Sequence, residues 1–193
     1  VEEHGIKIND KVFDKYYELT WKANSVEDDK IYTSYNLYNL TARPTNAFNG
    51  INFLALSKDK GRSAFIPQND FFADFDFDGY RDIALFKHID EFIQAMWETY
   101  KEQEYISLPN GRKFRQENTN PQKLFNYYIQ CLETVNNVKK LALLKEFLQD
   151  KKSKVVLVVY DSILVDFSKQ DGMATYEGIK AILEQDNYVV KTK

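Results

Sequence analysis

The stretch FFADFDFDGY, Phe71 to Tyr80, alternates aspartate with phenylalanine and ends beside a glycine. A repeat of two is the repeat of a β-strand, which predicts Asp74, Asp76 and Asp78 on one face and Phe75 and Phe77 on the other. The same letters fit the first half of a calcium loop, D-x-D-x-D-G. That loop needs a bidentate carboxylate at its twelfth position, and the twelfth residue counted from Asp74 is Leu85, which has no ligating atom. The residues between the aspartates are large and apolar, and no helix is predicted before them. The strand is the better reading. Its carboxylates then form either a solvated acidic row on an edge strand or a set of ligands, because like charges on one face are costly unless cations answer them.

A second carboxylate bears on that choice. VVLVVY, Val155 to Tyr160, is the strongest predicted strand; it turns at Asp161-Ser162 and returns as ILVDF, Ile163 to Phe167. Asp161 suits a turn on its own account, since its side chain bonds nearby backbone. A hairpin with Asp161 at its tip, beside a strand carrying Asp76, would also offer two carboxylates to a pair of divalent ions about 4 Å apart.

The remaining chain predicts strands grouped around long helices, an α+β fold with one sheet backed by helices. Helices are predicted over Asp10 to Lys22, Arg81 to Tyr100, Pro121 to about Asp150 and Met173 to Glu184, the last interrupted by Gly178. The third would bury Leu124, Phe125, Tyr128, Ile129, Leu132, Val135, Val138, Leu141 and Leu144. Strands are predicted at Ile31 to Leu40, Ser63 to Ile66 and Tyr188 to Lys193. Thr41 to Asn52 reads as a loop, and LPNGRKF carries Asn-Gly, a hairpin signal.

Composition narrows the function classes. The 193 residues carry a net charge of −3, so any nucleic-acid binding needs a local basic patch. One cysteine, Cys131, excludes an internal disulfide and suggests a reducing, cytoplasmic setting. No run approaches the ~20 apolar residues of a membrane span, so no membrane partner is expected. His4 and His88, the two histidines, are far apart in sequence and read as surface residues, while Cys131 reads as packed rather than nucleophilic.

Four blocks, in order, resemble the family A DNA polymerases (the DNA polymerase I family), and most closely their bacteriophage branch. TARPTNAFNGIN, Thr41 to Asn52, is similar to the T-G-R block and the Asn-rich segment after it, with GRSAFIP, Gly61 to Pro67, leading into motif A. DFDGY, Asp76 to Tyr80, resembles motif A itself. NYYIQ, Asn126 to Gln130, resembles the N-x-x-x-Q helix. VYDS, Val159 to Ser162, stands in the place of motif C, with Tyr160-Asp161-Ser162 for the usual His-Asp-Glu.

The resemblance implies a polymerase palm, an antiparallel sheet backed by long helices, with parts of the thumb and fingers. Residues 1–30 would end the thumb, 31–80 would form the first part of the palm, 81–104 a helix returning from the fingers, and 105–193 the second part of the palm. It implies template-directed DNA synthesis in phage-type replication, in the host cytoplasm if viral. Asp76 and Asp161 would hold two Mg²⁺ ions, with the Phe77 carbonyl completing one shell. Arg43, Asn126, Gln130 and Tyr160 would contact primer–template DNA, and deoxynucleoside triphosphates would be the substrates. Replication accessory proteins are further expected partners.

The chain departs from the family between Tyr80 and Arg81. Motif B, the lysine-bearing fingers helix, has no counterpart there, and Arg81 stands where the family has Glu, or His in phage members. A strand passing straight into a long helix is also physically odd. The expectation is a fingers segment at this junction that the sequence lacks. Two other readings follow from the same residues: a non-catalytic, polymerase-derived DNA-binding module, and a calcium-binding interaction domain built on DFDFDG.

Overall fold

A computed structural model of the chain describes residues 4–17, 26–32, 34–36, 38–39, 41–47, 53, 60–77, 88–159 and 161–192. The chain divides into two compact units, one of residues 1–36, 44–78 and 140–193 and the other of residues 37–43 and 79–139. The fold is α+β, and its sheets are antiparallel.

The first unit is built around β7 (Phe71–Phe77). It pairs with β11 (Ser162–Phe167) on one side and with β12 (Val190–Thr192) on the other, while β10 (Lys154–Val159) lies outside β11. The sequence predicts one sheet; the unit also holds a second four-stranded sheet of β1 (Ile6–Ile8), β2 (Val26–Glu27), β3 (Lys30–Ile31) and β6 (Phe65–Ile66). The first unit also holds a ribbon of β4 (Ser34–Asn36) and β5 (Thr45–Ala47). The predicted strand at Ile31 to Leu40 is thus two short strands with different partners. Part of the predicted loop at Thr41 to Asn52 is a strand, because β4 supplies it with a hydrogen-bonding edge.

One face of the β7 sheet is apolar along its length. Ala73, Phe75, Phe77, Ile163, Val165 and Phe167 are buried on it. Helix α4 (Gly172–Leu183) covers this face through Tyr176, whose ring lies 5.5 Å from Phe75 and 6.1 Å from Phe167. The opposite face changes character along the strand. Phe72 and Leu164 pack on the core of Ile6, Ile8, Phe13 and Ile31, next to helix α1 (Asp10–Tyr16), whereas Asp74, Asp76 and Ser162 are half-buried polar groups.

The second unit holds helix α2 (Ile89–Gln103), the hairpin of β8 (Ile106–Ser107) and β9 (Lys113–Phe114), and the first part of helix α3 (Pro121–Phe147). Its core is Met96, Ile106, Leu108, Phe114, Leu124 and Cys131. The hairpin follows its sequence signal. Gly111 N–H donates to the Leu108 carbonyl at 2.8 Å and Gly111 takes φ +79°, a conformation that glycine adopts without a Cβ penalty. Asn120 starts α3 by accepting from Lys123 N–H at 2.9 Å, with Pro121 just inside the helix.

The buried stripe of α3 is not wholly the predicted one. Val138 is 51% exposed, while Glu133, Thr134, Asn137 and Lys140 are buried. Each of three of these polar residues has a partner that burial requires. Glu133 meets Arg43, the Thr134 hydroxyl donates to the Gln130 carbonyl at 2.9 Å, and Lys140 caps α4. Lys140 Nζ donates to the carbonyls of Leu183 at 2.5 Å and Gln185 at 2.9 Å, where the helix dipole favours a cation. It also lies 4.5 Å from the Tyr188 ring centre and 5.5 Å from that of Phe77. Burial pushes the ammonium pKa down, against the opposing charge of Asp186. Among the described residues no helix is long and apolar enough to cross a membrane.

Two predictions follow from this packing. Gly178, an apparent flaw in a helical pattern, lies where a methyl group would collide with Cζ of Phe147 and come within 3.0 Å of its Cε1. Alanine gains about 1 kcal/mol of helix propensity, and overpacking costs about 1–3 kcal/mol. Urea unfolding is expected to show Gly178→Ala less stable by about 1 kcal/mol, with Phe147→Leu in the same chain recovering the loss. A more stable single variant would mean that the ring swings aside freely.

Asp171 sets the second prediction. Partial desolvation raises its pKa, but bonds from the Ser153 side chain and backbone and from Lys152 N–H, with the charge of Lys151, bring the net value below the ordinary one. A depressed folded-state pKa contributes stability above the unfolded value and loses it as pH falls through the folded value. Melting temperature followed below pH 4 should therefore fall less steeply in Asp171→Asn than in the parent. Equal acid slopes would contradict the assignment.

Candidate active site

β7 is extended through Asp74 and Asp76, which excludes the turns a calcium loop needs to wrap these residues round one ion. In the pairing of β7 with β11, Ser162 stands across from Asp76 and Leu164 across from Asp74. The hairpin of β10 and β11 closes where Val159 pairs with Ser162, so Asp161 lies in the turn while Ser162, predicted to share it, already belongs to β11. Phe77 N–H donates to the Asp161 carbonyl at 3.1 Å. That bond sets Asp161 beside Phe77, one residue on from Asp76. The structure therefore brings together Asp76, Phe77 and Asp161. Tyr160, Asp78 and the Tyr80–Arg81 junction lie outside the described residues.

Two neighbours of this cluster were not singled out in the sequence. The Ser162 hydroxyl donates to the Asp74 carboxylate, which gives Asp74 a structural task. Lys191 on β12 stands directly across from Asp76, so both side chains project on one face of the sheet. The alternation of YVVKTK marks a strand, but only the long-range register shows which residue faces Asp76.

The residues fit magnesium chemically. Among the described residues no group of three or more His, Cys, Asp or Glu side chains could hold a metal ion. The cluster instead offers two carboxylates and a backbone carbonyl, all hard oxygen donors. Magnesium is commonly held by one or two carboxylates plus substrate phosphates, without a full protein cage. Asp76 and Asp161 are both half-buried, so they stay open to a ligand from solvent.

The remaining predicted residues lie in the second unit. Arg43 pairs through Nη2 with Glu133 Oε2 at 2.5 Å. Glu133 lies three residues beyond Gln130 on α3, and Asn126 four before it, so the three share a helix face. Asn126 is exposed and Gln130 half-buried. The structure thus brings Arg43 to the helix face that carries Asn126 and Gln130. The sequence reading missed Glu133, although its helical spacing from Gln130 was legible. His4 and His88 are exposed, as predicted, with His88 Nδ1 3.1 Å from Glu91. Cys131 is fully buried, and desolvation raises its pKa, which suits packing and not nucleophilic chemistry.

No protein-family model and no curated protein matches the sequence. Among solved structures, the chain matches the polymerase domain of Pol1 from M. smegmatis, in complex with DNA primer-template and dNTP. The TM-score is 0.69 at 11% sequence identity, over 89% of this chain and 49% of that one. The fold is that of a DNA polymerase domain. The chain spans about half the length of that neighbour.

The Arg43–Glu133 pair generates a prediction. Glu133 retains 8% of its side-chain exposure, so removing Arg43 takes a close counter-charge from a buried carboxylate. Such a loss costs roughly 3 kcal/mol. Arg43→Met should lose about that much in urea unfolding, and adding Glu133→Gln should restore most of it. An unaltered Arg43→Met protein would reduce the pair to a surface contact.

Proposed function

We propose that the chain carries the palm of a template-directed DNA polymerase of the phage-type family A branch, extending a primer 3′-hydroxyl with deoxynucleoside triphosphates. The observation that carries this reading is the strand register that sets Asp161 beside Phe77 and Asp76, within a polymerase-domain fold. Asp76, Asp161 and the Phe77 carbonyl would hold two Mg²⁺ ions. When bound, the ions favour ionisation of the 3′-hydroxyl and stabilise the charge that develops as pyrophosphate leaves.

The protein's own share is to hold that oxygen set on paired strands. Ser162, standing where the family has a carboxylate, leaves the burden of charge on Asp76 and Asp161. Lys191 answers the Asp76 charge from the neighbouring strand. Arg43, Asn126 and Gln130 would contact the primer–template, with the amides meeting minor-groove acceptors common to every base pair. Tyr160 would stack or hydrogen-bond near the primer end. On this reading residues 1–30 end the thumb, 31–80 and 105–193 form the palm, and 81–104 return from the fingers. Two ions, nucleotide, primer–template and replication accessory proteins are then its partners, in the cytoplasm of the cell or host.

The absence of a motif B counterpart in the sequence favours one second reading, a polymerase-derived module that binds DNA without extending it. Primer extension separates the two. The parent should extend in Mg²⁺ and stop in EDTA, and Asp76→Ala and Asp161→Ala should each lose activity on the order of 10³-fold, or about 4 kcal/mol. Circular dichroism and primer–template binding should hold in both variants. Extension surviving in either variant removes it from the site, and binding without metal-dependent extension in the parent selects the second reading.

A further inference from the structure

The register of the β8–β9 hairpin sorts its side chains into two faces. Ile106 pairs with Phe114 and Ser107 with Lys113. Extending the same antiparallel register by one residue sets Tyr105 across from Arg115. Ile106 and Phe114 are buried in the core of their unit, while Ser107, Lys113 and Arg115 are exposed on the outer face. Tyr105 is half-buried among them. Lys113 Nζ lies 4.1 Å and Arg115 Cζ 5.3 Å from the centre of its ring.

Those distances place both cations within reach of the ring quadrupole. They are held by a fixed aromatic surface, with less freedom to lose when a ligand binds. Among the described residues no carboxylate forms an ion pair with either. Arg112, the third basic residue of GRKFR, donates to the Asn39 carbonyl and is half-buried, so it belongs to the framework. Two residues along a strand span about 6.6 Å, a spacing that suits successive phosphates of one nucleic-acid strand. The chain carries a net charge of −3, so an anionic polymer has to be met by a local patch of this kind.

We infer that the outer face of the β8–β9 hairpin is a phosphate-binding site for DNA, in which Tyr105 holds Lys113 and Arg115 ready to clamp the sugar–phosphate backbone. The ring is engaged by its own cations, so the site grips phosphate and reads no base. The choice of DNA as ligand rests on the polymerase reading; the clamp itself rests on the hairpin.

Fluorescence anisotropy on the full chain, across a salt series, tests this with a labelled primer–template and a labelled single strand of the same sequence. Lys113→Gln with Arg115→Gln should flatten the plot of log affinity against log salt. Two lost phosphate contacts correspond to a slope change of about 1.8 if the clamp meets duplex and about 1.4 if it meets single strand. Tyr105→Leu should weaken binding several-fold with the slope kept, because the charges remain but are no longer held. Unchanged slopes and affinities in the double variant on both DNAs would overturn the clamp, and an unchanged Tyr105→Leu would overturn the ring's part in it. Slopes unchanged in a parent that extends primers sink the hairpin site alone. A slope loss in a parent that does not extend them sinks the polymerase reading and leaves the clamp. A parent that binds neither DNA sinks both.

Discussion

Strand β7 must satisfy two solvents at once, and the rest of the first unit is arranged around that demand. Phe75 and Phe77 are buried on one side, each worth about 2–3 kcal/mol of transfer from water. Asp74 and Asp76 sit about 6.6 Å apart on the other side, where their repulsion is roughly 1–2 kcal/mol in a partly solvated setting. The aromatic side wins, which is why a strand with adjacent acids is stable as the centre of a sheet. The acidic side is then eased where it can be: the Ser162 hydroxyl bonds Asp74, and Lys191 faces Asp76. What remains is a half-buried pair, Asp76 and Asp161, placed by backbone pairing alone.

The polar interior of α3 works by the same logic of paired burial. A helix whose buried stripe includes Glu133 and Lys140 would be unstable if either stood alone, since an uncompensated charge in an apolar setting costs several kcal/mol, by general estimates. Each residue is instead spent on fixing another element. Glu133 holds Arg43 against the helix, and Lys140 closes the C-terminus of α4 while its ammonium rests against Tyr188 and Phe77. Lys140 thereby packs against the side chain whose backbone lies between the two candidate carboxylates.

Much of this was legible in the sequence where the signal is local. The alternation of FFADFDF, the β-branched run of VVLVV, the Asn-Gly turn and the Pro121 helix start all appear in the structure at or within a residue or two of the predicted place. The failures share a cause. Val138 fits the apolar period of α3 yet is exposed, because the neighbouring positions are taken by polar groups whose partners, Arg43 and the end of α4, are distant in sequence. β5 reads as loop because its strand state depends on β4 offering an edge. For the candidate site, residue types and spacing marked Asp76 and Asp161, whereas Phe77, Arg43, Asn126 and Gln130 were marked only through the family resemblance. Neither could mark Lys191, whose position opposite Asp76 exists only once β12 has chosen its partner.

Register is the remaining requirement, because a slip of one residue between β7 and β11 would turn Asp76 to the buried face. Apolar alternation resists such a slip, but the sheet also has a lock at its far end. Asp166 is buried and accepts from Gln68 N–H at 2.7 Å and Asn69 N–H at 3.0 Å. Asp70 accepts from Lys169 N–H at 2.7 Å, and Asp70 N–H donates to the Phe167 carbonyl at 3.1 Å. These bonds join the chain entering β7 to the chain leaving β11, so neither strand can shift without breaking several at once. Asp166 lies four residues from Ser162, about 13 Å along the strand. The backbone placement of Asp76 and Asp161 is therefore fixed in part from a place that no ligand need touch.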